Sequence, residues 1–177
     1  MVAVVPLEVG NSALRTGSMR TLLTGASGYL GLHLLRSLLD DGQRVTAVVR
    51  SAAKLGPFAN DSRLEVVEAD LRDHARFEAM LKGHETCIHA ALLWGDPGVD
   101  LELQDVVASA KLFDVAGRAG VARCLFVSSA AVHRPFAAEM TEDDPLSTTD
   151  LYGATKAAGE LFLRAACAQH QMTGVVL

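Results

Sequence analysis

A glycine-spaced turn, TGASGYLG, occupies residues 24–31 of this 177-residue chain. It lies between an apolar run and a leucine-rich segment at 30–39, an order that predicts a strand, a turn and a helix. Gly25 permits a tight turn, Gly28 lets a pyrophosphate approach the backbone, and Gly31 lets the helix pack closely on the strand. The unpaired N–H groups at the helix start then face an anion. The spacing is GxxGxxG rather than GxGxxG, so a phosphate-binding corner needs support from elsewhere in the chain.

The composition is that of a globular protein without a nucleic-acid surface. Hydrophobic residues make up 50% of the chain and charged residues 21%, which is enough to bury a sizeable core. The formal net charge is −5 and no predicted element carries clustered Lys and Arg, which argues against binding of nucleic acid. Cys87, Cys124 and Cys167 lie among apolar residues without metal-ligand spacing. We therefore expect buried thiols, no metal site and a reducing, cytoplasmic compartment.

Residues 1–18 differ from the rest of the chain. The run 2–9 is apolar but has no basic flank, and a proline and a glutamate interrupt it. It predicts neither a signal peptide nor a membrane span. We expect a flexible extension over 1–18, a single domain over 19–177, and no association with a membrane.

Strand-like and helix-like segments alternate along the rest of the chain. Strands are predicted at 21–23, 44–49, 64–67, 86–91, 123–127 and 174–177, and helices at 29–41, 75–81, 101–119 and 151–170. The strands are continuous apolar runs, which is typical of strands covered by helices on both faces. The alternation predicts right-handed crossovers and an α/β fold with a doubly wound parallel sheet in three layers. The apolar faces of helices 101–119 and 151–170 fit either the sheet or another subunit.

Tyr152 and Lys156 lie four residues apart on a predicted helix, so their side chains share one face. Bringing a tyrosine pKa from about 10 to about 7 requires roughly 4 kcal/mol, and a neighbouring ammonium is one source of it. Such a phenol can exchange a proton with an alcohol or carbonyl while hydride passes to or from a cofactor. The alternative is a surface Tyr and Lys on an amphipathic helix.

Ser128 and Ser129 follow the apolar strand 123–127, at the end of a parallel strand where open α/β sheets bind ligands. A hydroxyl there suits a hydrogen bond to a substrate oxygen. A serine pair can equally end a strand and begin a loop. With Tyr152 present, we favour a substrate-facing Ser129.

Several motifs in order resemble those of the extended short-chain dehydrogenase/reductase family, in its NAD(P)-dependent epimerase/dehydratase branch. The resemblance covers about residues 20–177 and implies the N-terminal Rossmann-fold part of that family. It rests on TGASGYLG at 24–31, ADL at 69–71, HAA at 89–91, FVSSAAVH at 126–133, TEDDP at 141–145, and YGATK at 152–156 with Glu160.

The resemblance implies roles for individual residues. Ser129 and Tyr152 would hold the reacting oxygen, and Lys156 would bind the nicotinamide ribose and lower the pKa of Tyr152. The cofactor would contact Gly25, Ser27, Gly28, Tyr29, Leu30, Gly31, Asp70, Leu71, Ala90, Ala91, Ser128, Tyr152 and Lys156. Asp70 could equally be a turn residue at the end of a strand, without a contact to the cofactor. We interpret His89 and His133 as structural residues.

Arg50 ends the second predicted strand, where an acidic residue would bind a ribose and an arginine would accept a 2′-phosphate. A guanidinium suits a phosphate, so we expect NADP in preference to NAD. The alternative is a solvated side chain.

Two features depart from the family pattern. The family's Asn-Val-x-Gly-Thr segment reads Asp-Val-Val-Ala-Ser at 105–109, so a carboxylate replaces an amide. We expect the family's substrate-binding region, which follows this part of the chain, to be absent. The resemblance also implies a homodimer through helices 101–119 and 151–170.

Two functions remain open from the sequence. The first is an NAD(P)-dependent epimerase, dehydratase or reductase acting on an alcohol or carbonyl centre of a nucleotide sugar or a small carbonyl compound. The second is a cofactor-binding module, or a fragment, without turnover of its own. The serine, tyrosine and lysine favour the first function, and the missing region favours the second.

Overall fold

The computed structural model describes residues 19–93 and 101–177. The strands are β1 (Arg20–Thr24), β2 (Arg44–Val49), β3 (Leu64–Glu68), β4 (Thr86–His89), β5 (Arg123–Phe126) and β6 (Thr173–Val176). The helices are α1 (Tyr29–Asp40), α2 (His74–Leu81), α3 (Leu101–Arg118) and α4 (Leu151–His170). Two 3₁₀ segments, Ala52–Asn60 and Ala130–His133, were not predicted from the sequence. The extension expected at 1–18 lies outside the described residues.

The six strands form one parallel sheet in the order β3-β2-β1-β4-β5-β6. The predicted doubly wound Rossmann-like sheet is therefore confirmed. β1 and β4 are neighbours at the centre of the sheet, where the strand order reverses direction. In such sheets a crevice forms outside the carboxyl ends of these two strands.

Each face of the sheet has its own hydrophobic core. Leu22 of β1 belongs to the core that packs against α2, α3 and α4, whereas the next residue, Leu23, belongs to the core against α1. Both side chains are fully buried. This double burial explains why β1 is a continuous apolar run, since alternate residues enter different cores.

Helices α3 and α4 lie side by side on one face of the sheet. Gly117 of α3 allows this approach, because a Cβ at Gly117 would lie 2.3 Å from the His170 ring. The His170 Nε2 atom also lies 3.0 Å from Oδ1 of Asp114. The two long helices therefore form one layer with tight internal packing.

The outer face of α4 is largely exposed. The sequence left open whether its row of small and apolar residues faces the sheet or another subunit. Ala154, Leu161 and Ala165 are exposed and Ala158 is half-buried, so this row points away from the sheet. The buried side of α4 instead consists of Gly153, Thr155, Lys156, Ala157, Gly159, Leu163 and Ala166.

Cys87 and Cys124 are buried and Cys167 is half-buried, all with free thiols. Burial raises the pKa of the Cys167 thiol, which keeps it protonated. In the described part of the chain, no helix has the length and apolar character needed to cross a bilayer.

Candidate functional site

The glycine turn after β1 lies in contact with the segment that follows β4. Gly25 has a φ of +73°, and its carbonyl accepts a hydrogen bond from Gly28 N at 2.9 Å. A Cβ at Gly25 would lie 2.6 Å from the Ala90 carbonyl oxygen, and one at Gly31 would lie 2.0 Å from the Gly25 carbonyl oxygen. Only glycine fits both positions without moving backbone atoms.

The first turn of α1 points its N–H groups toward this corner. The N-cap residue is Gly28, which makes no side-chain capping bond, so the first N–H groups are not satisfied by a cap. Tyr29 is 87% exposed and lies edge-on to His33, with ring centroids 5.1 Å apart, and Leu30 is 45% exposed. Because these two side chains point to solvent, the backbone N–H groups are the part of this turn that would contact an anion.

A cavity of about 310 Å³ opens at the carboxyl ends of β1, β2 and β4. It is lined by Gly25, Ser27, Gly28, Val48, Val49, Arg50, Lys54, Ala69, Leu71, Ala90, Ala91, Leu92 and Leu93. Seven of these were predicted as cofactor-binding residues: Gly25, Ser27, Gly28, Arg50, Leu71, Ala90 and Ala91. Ala90 and Ala91 were also predicted to extend β4, but the strand ends at His89 and the next two residues turn against Gly25.

Two cationic side chains line one end of the cavity. Arg50 follows β2 and Lys54 lies in the 3₁₀ segment after it, and both are exposed. Sequence reasoning missed Lys54, although its spacing of four residues from Arg50 was a usable signal. The backbone between them is fixed by Glu68 at the end of β3, whose Oε1 accepts a hydrogen bond from Ala52 N at 2.6 Å.

Asp70 lies outside the lining of the cavity, next to Leu71, which lies inside it. Its two carboxylate oxygens each accept a bond of 2.7 Å from the Arg72 guanidinium. This pairing, with a smaller effect of Arg50, lowers the pKa of Asp70 to about 2. Asp70 therefore stays ionised and is held by Arg72, while its backbone leads into the cavity wall.

The two serines after β5 point to different partners. The Ser128 hydroxyl donates a short hydrogen bond to Oε1 of Glu160 on α4. The Ser129 Oγ accepts a bond of 3.2 Å from Ala131 N and so caps the 3₁₀ segment Ala130–His133. Both bonds fix the chain as it leaves the sheet.

Tyr152 lies in the first turn of α4 and is half-buried. Asp150 caps this helix by accepting a bond of 2.7 Å from Gly153 N. A Cβ at Gly153 would lie 2.4 Å from the Ala131 carbonyl oxygen, so α4 begins in direct contact with the 3₁₀ segment that Ser129 caps. This contact places Ser129 and Tyr152 on neighbouring segments.

Lys156 is buried, with only 4% of its surface exposed. Its Nζ donates to the Val127 carbonyl oxygen at 3.2 Å and lies 4.8 Å from the centroid of the Phe126 ring. Burial lowers the pKa of Lys156, and the negative charge of Asp105 opposes this effect. The ammonium is therefore held at the carboxyl end of β5, one strand away from β4.

A buried polar network ties α3 to the ends of β1 and β4. The two ring nitrogens of His89 contact Thr24 Oγ1 at 2.7 Å and Ser109 Oγ at 2.9 Å. One turn before Ser109, the Asp105 Oδ1 accepts a bond of 2.8 Å from Leu93 N. Burial lowers the pKa of His89 to about 3, with a smaller effect of Lys156, so its ring is neutral. Asp105 was noted in the sequence only as a departure from a family pattern.

The predicted site residues thus form two groups. One group lines the cavity, and the other, with Ser128, Ser129, Tyr152 and Lys156, lies along β5, the 3₁₀ segment after it and α4. Tyr29, Leu30, Gly31 and Asp70 border the cavity without lining it. Within residues 19–93 and 101–177, no cluster of His, Cys, Asp and Glu has the arrangement of a metal site.

The sheet order and the glycine turn at its centre define a Rossmann-like α/β domain. The model of the NAD dependent epimerase/dehydratase family matches residues 21–177. The chain belongs to that family.

Relatives of this chain act on different substrates, as their names state. A ceramide reductase from Caulobacter vibrioides is 36% identical over 147 residues, which are 81% of this chain and 41% of that protein. A UDP-glucose 4-epimerase from Azospirillum brasilense is 31% identical over 169 residues, 90% of this chain and 48% of the relative. A double mutant of dTDP-glucose 4,6-dehydratase from Streptomyces venezuelae, solved with NAD bound, has a TM-score of 0.81 at 27% identity and covers 89% of this chain and 54% of its own. The chain spans about half the length of these proteins.

The buried neutral His89 makes the folded state sensitive to acid. Its pKa of about 3 lies below the ordinary value of 6.5, so the unfolded chain binds a proton that the folded chain excludes between these pH values. We expect stability to fall as the pH is lowered from 7 to 5, with a contribution from His89 of up to about 1.4 kcal/mol per pH unit. His89→Gln should lose this contribution, as measured by urea unfolding at both pH values. Equal pH dependence of the two proteins would contradict the assignment.

Proposed function

We propose that this chain forms the cofactor-binding and catalytic part of an NAD(P)-dependent oxidoreductase or epimerase acting on an alcohol or carbonyl centre. The observation that carries the proposal is the position of the buried Lys156 ammonium on α4. It lies at the carboxyl end of β5, on the same side of the sheet as the glycine-lined cavity. The family, and relatives that are reductases, epimerases and dehydratases, support the same class of reaction.

The residues of the cavity fit a dinucleotide. The missing side chains at Gly25 and Gly28 leave room next to the start of α1, where N–H groups without a side-chain cap suit a pyrophosphate. Apolar residues such as Val48, Leu71 and Ala90 suit the adenine and ribose rings. When bound, the nicotinamide group accepts or supplies the hydride.

Three side chains carry the proton chemistry in this proposal. Tyr152 donates or removes the proton of the reacting oxygen, and Ser129 donates a hydrogen bond to the same oxygen. The Lys156 ammonium binds the ribose and favours the phenolate form of Tyr152 by its charge. The contact of α4 with the 3₁₀ segment at Gly153 supports the joint action of Ser129 and Tyr152.

The role of Tyr152 has a direct test. Tyr152→Phe should reduce turnover by about 10² to 10⁴-fold, because the proton donor is lost, while NADPH affinity stays unchanged. Turnover of a long-chain ketone would be followed through nicotinamide absorbance, and turnover of UDP-glucose by chromatography of the sugar nucleotide, because an epimerase regenerates its cofactor in each turnover. Ser37→Ala, which removes an exposed hydroxyl outside the cavity, is the control. Full turnover in Tyr152→Phe would contradict the acid/base role.

We propose NADP as the preferred cofactor, with NAD as the weaker one. Arg50 and Lys54 carry two positive charges at the end of the cavity beside β2, and in this proposal the adenosine ribose lies next to them. A 2′-phosphate there would meet both cations. The NAD bound to the Streptomyces venezuelae dehydratase belongs to that protein, and its identity to this chain is 27%.

The cofactor preference is tested by two single substitutions. Arg50→Ala and Lys54→Ala should each weaken the binding of NADPH by about tenfold, because a hydrogen bond to a charged phosphate is lost. The affinity for NADH should stay nearly unchanged. Cofactor fluorescence titrations measure both constants. Lys82→Ala, at an exposed lysine outside the cavity, should change neither. An unchanged NADPH to NADH ratio in both variants would rule out the phosphate role.

The substrate is an alcohol or carbonyl compound of one of two kinds, a nucleotide sugar or a smaller carbonyl compound. The epimerase and dehydratase relatives favour the first kind and the ceramide reductase favours a ketone on a different scaffold. The alternative function is a cofactor-binding module without turnover. Cofactor binding without turnover of either probe would support that alternative.

We also propose a homodimer through the outer faces of α3 and α4. Leu103 and Val107 on α3, and Leu161 and Phe162 on α4, are between 46% and 60% exposed and form an apolar surface on adjacent helices. A second copy of this surface would bury it in a four-helix contact.

The dimer is tested at Leu161. Leu161→Glu adds a charge to the centre of the outer surface and should shift the chain from dimer to monomer in sedimentation velocity runs, without loss of NADPH binding. Gln169→Glu, at an exposed position near the end of the same helix, introduces the same single negative charge and separates a local effect from a change in net charge. A monomeric parent chain, or a dimer that survives Leu161→Glu, would contradict the proposed interface.

A further inference from the structure

Glu68 at the end of the edge strand β3 binds the segment that carries both cations of the cavity. Its Oε1 accepts a hydrogen bond of 2.6 Å from Ala52 N, the first residue of the 3₁₀ segment Ala52–Asn60. Ala52 lies between Arg50 and Lys54 in the sequence. A hydrogen bond to a carboxylate is short and stronger than one between neutral groups. Glu68 therefore ties the sheet to the backbone that joins the two cations.

This bond takes the place of a local helix cap. Ser51 occupies the N-cap position of the 3₁₀ segment, where a serine side chain commonly accepts a bond from the backbone, but its hydroxyl makes no capping bond here. The first N–H groups of a helical segment have no partner within it, so Ala52 N needs an acceptor from outside. Because the acceptor belongs to Glu68 on another strand, it also fixes the segment relative to the sheet.

The backbone of Glu68 is itself held in place. Glu68 pairs in register with Val49, the last residue of β2, and Ala69 N donates to the Val49 carbonyl oxygen at 3.0 Å. The Glu68 carbonyl oxygen accepts a further bond of 3.3 Å from the Arg76 guanidinium. The carboxylate therefore acts from a fixed position next to the end of β2, where Arg50 follows.

The later part of the 3₁₀ segment has separate anchors. Leu55 is buried in the core against α1, and the Arg36 guanidinium lies 5.5 Å from the centroid of the Phe58 ring. Lys54 N closes the first turn with a backbone bond of 3.3 Å, ahead of both anchors. The spacing of the two cations is set within this first turn, which is the part that the Glu68 bond holds.

The two cationic head groups remain available for a ligand. Across the described residues, neither the Arg50 guanidinium nor the Lys54 ammonium has a hydrogen-bond or ion-pair partner. Asp70, a second carboxylate near this end of the cavity, is bound by Arg72. Glu68 directs its Oε1 to a backbone N–H group. The acidic side chains thus hold the backbone around the cations without direct contact to either of them.

We propose that Glu68 is a positioning residue for cofactor selectivity, which binds Ala52 N and so holds Arg50 and Lys54 at the spacing that a 2′-phosphate requires. The consequence for NADPH rests on the proposed function. The anchoring bond does not, because it joins two parts of the chain without any ligand. Cations that are already in place bind a phosphate at a lower entropic cost than mobile ones, so the anchor should favour NADPH over NADH.

Glu68→Ala and Glu68→Gln separate the bond from the charge. Both remove the negative charge, but the glutamine amide keeps an oxygen acceptor for Ala52 N. We expect Glu68→Ala to lower the affinity for NADPH about fivefold relative to NADH, whereas Glu68→Gln keeps at least the preference of the parent chain. Cofactor fluorescence titrations measure both affinities. Glu65→Ala is the matched control, since Glu65 lies on the same strand and contacts Thr46 and Arg20 instead.

Two results of these titrations would overturn the effect on selectivity. One is a ratio of NADPH to NADH affinity that does not fall in Glu68→Ala. The other is an equal fall in Glu68→Gln, because the charge rather than the hydrogen bond would then set the ratio. Glu68 is exposed, so its removal opens no cavity in either core and the variants should keep the fold.

Amide hydrogen exchange tests the anchor without a cofactor. In NMR of the ligand-free chain labelled with ¹⁵N, the Ala52 amide should exchange about tenfold faster in Glu68→Ala than in the parent, Glu68→Gln and Glu65→Ala. Equal exchange in Glu68→Ala and the parent would overturn the proposal. If the parent binds neither cofactor, or binds both equally, the proposed function or its NADP preference is contradicted, and the exchange result alone decides the anchoring role.

Discussion

The contact between the glycine turn after β1 and the segment after β4 determines where a ligand can sit. A side chain at Gly25 would overlap the Ala90 carbonyl, and one at Gly31 would overlap the Gly25 carbonyl, so two successive backbone approaches depend on missing side chains. Together they bring the start of α1 against the end of β4, at the centre of the sheet where the strand order reverses. The cavity, the backbone N–H groups of α1 and the wall at 90–93 all follow from this geometry.

A buried polar network also lies at the carboxyl ends of β1 and β4. His89 connects a hydroxyl of β1 with a hydroxyl of α3, and a neutral imidazole can do this because one nitrogen donates and the other accepts. The bond to Ser109 fixes the position of α3 along the sheet. Because Ser109 and Asp105 are one turn apart on α3, fixing the helix at Ser109 also fixes the carboxylate that holds Leu93.

The fold and part of the candidate site could be predicted from the sequence, because the features that determine them are local patterns. Burial on both faces makes strands into apolar runs, and the glycine turn and the Tyr152–Lys156 pair are local patterns that a helix converts directly into geometry. Pairs between distant segments have no such signal. Asp105 with Leu93, and Ser128 with Glu160, meet only because α3 and α4 pack on the same face of the sheet. The outer row of α4 stayed ambiguous because small apolar residues suit both a core and an interface.

Two kinds of positive charge therefore serve the candidate site in different ways. Arg50 and Lys54 are exposed, so their attraction for an anion is screened by salt and depends weakly on their surroundings. Lys156 is buried, and burial lowers its pKa while the negative charge of Asp105 opposes this effect. Exposed cations suit recognition of a phosphate that arrives from solvent, whereas a buried ammonium suits control of a proton. Raising the salt concentration should thus weaken the first interaction and leave the second, so the proposed recognition of a phosphate and the proposed control of a proton should respond differently to salt.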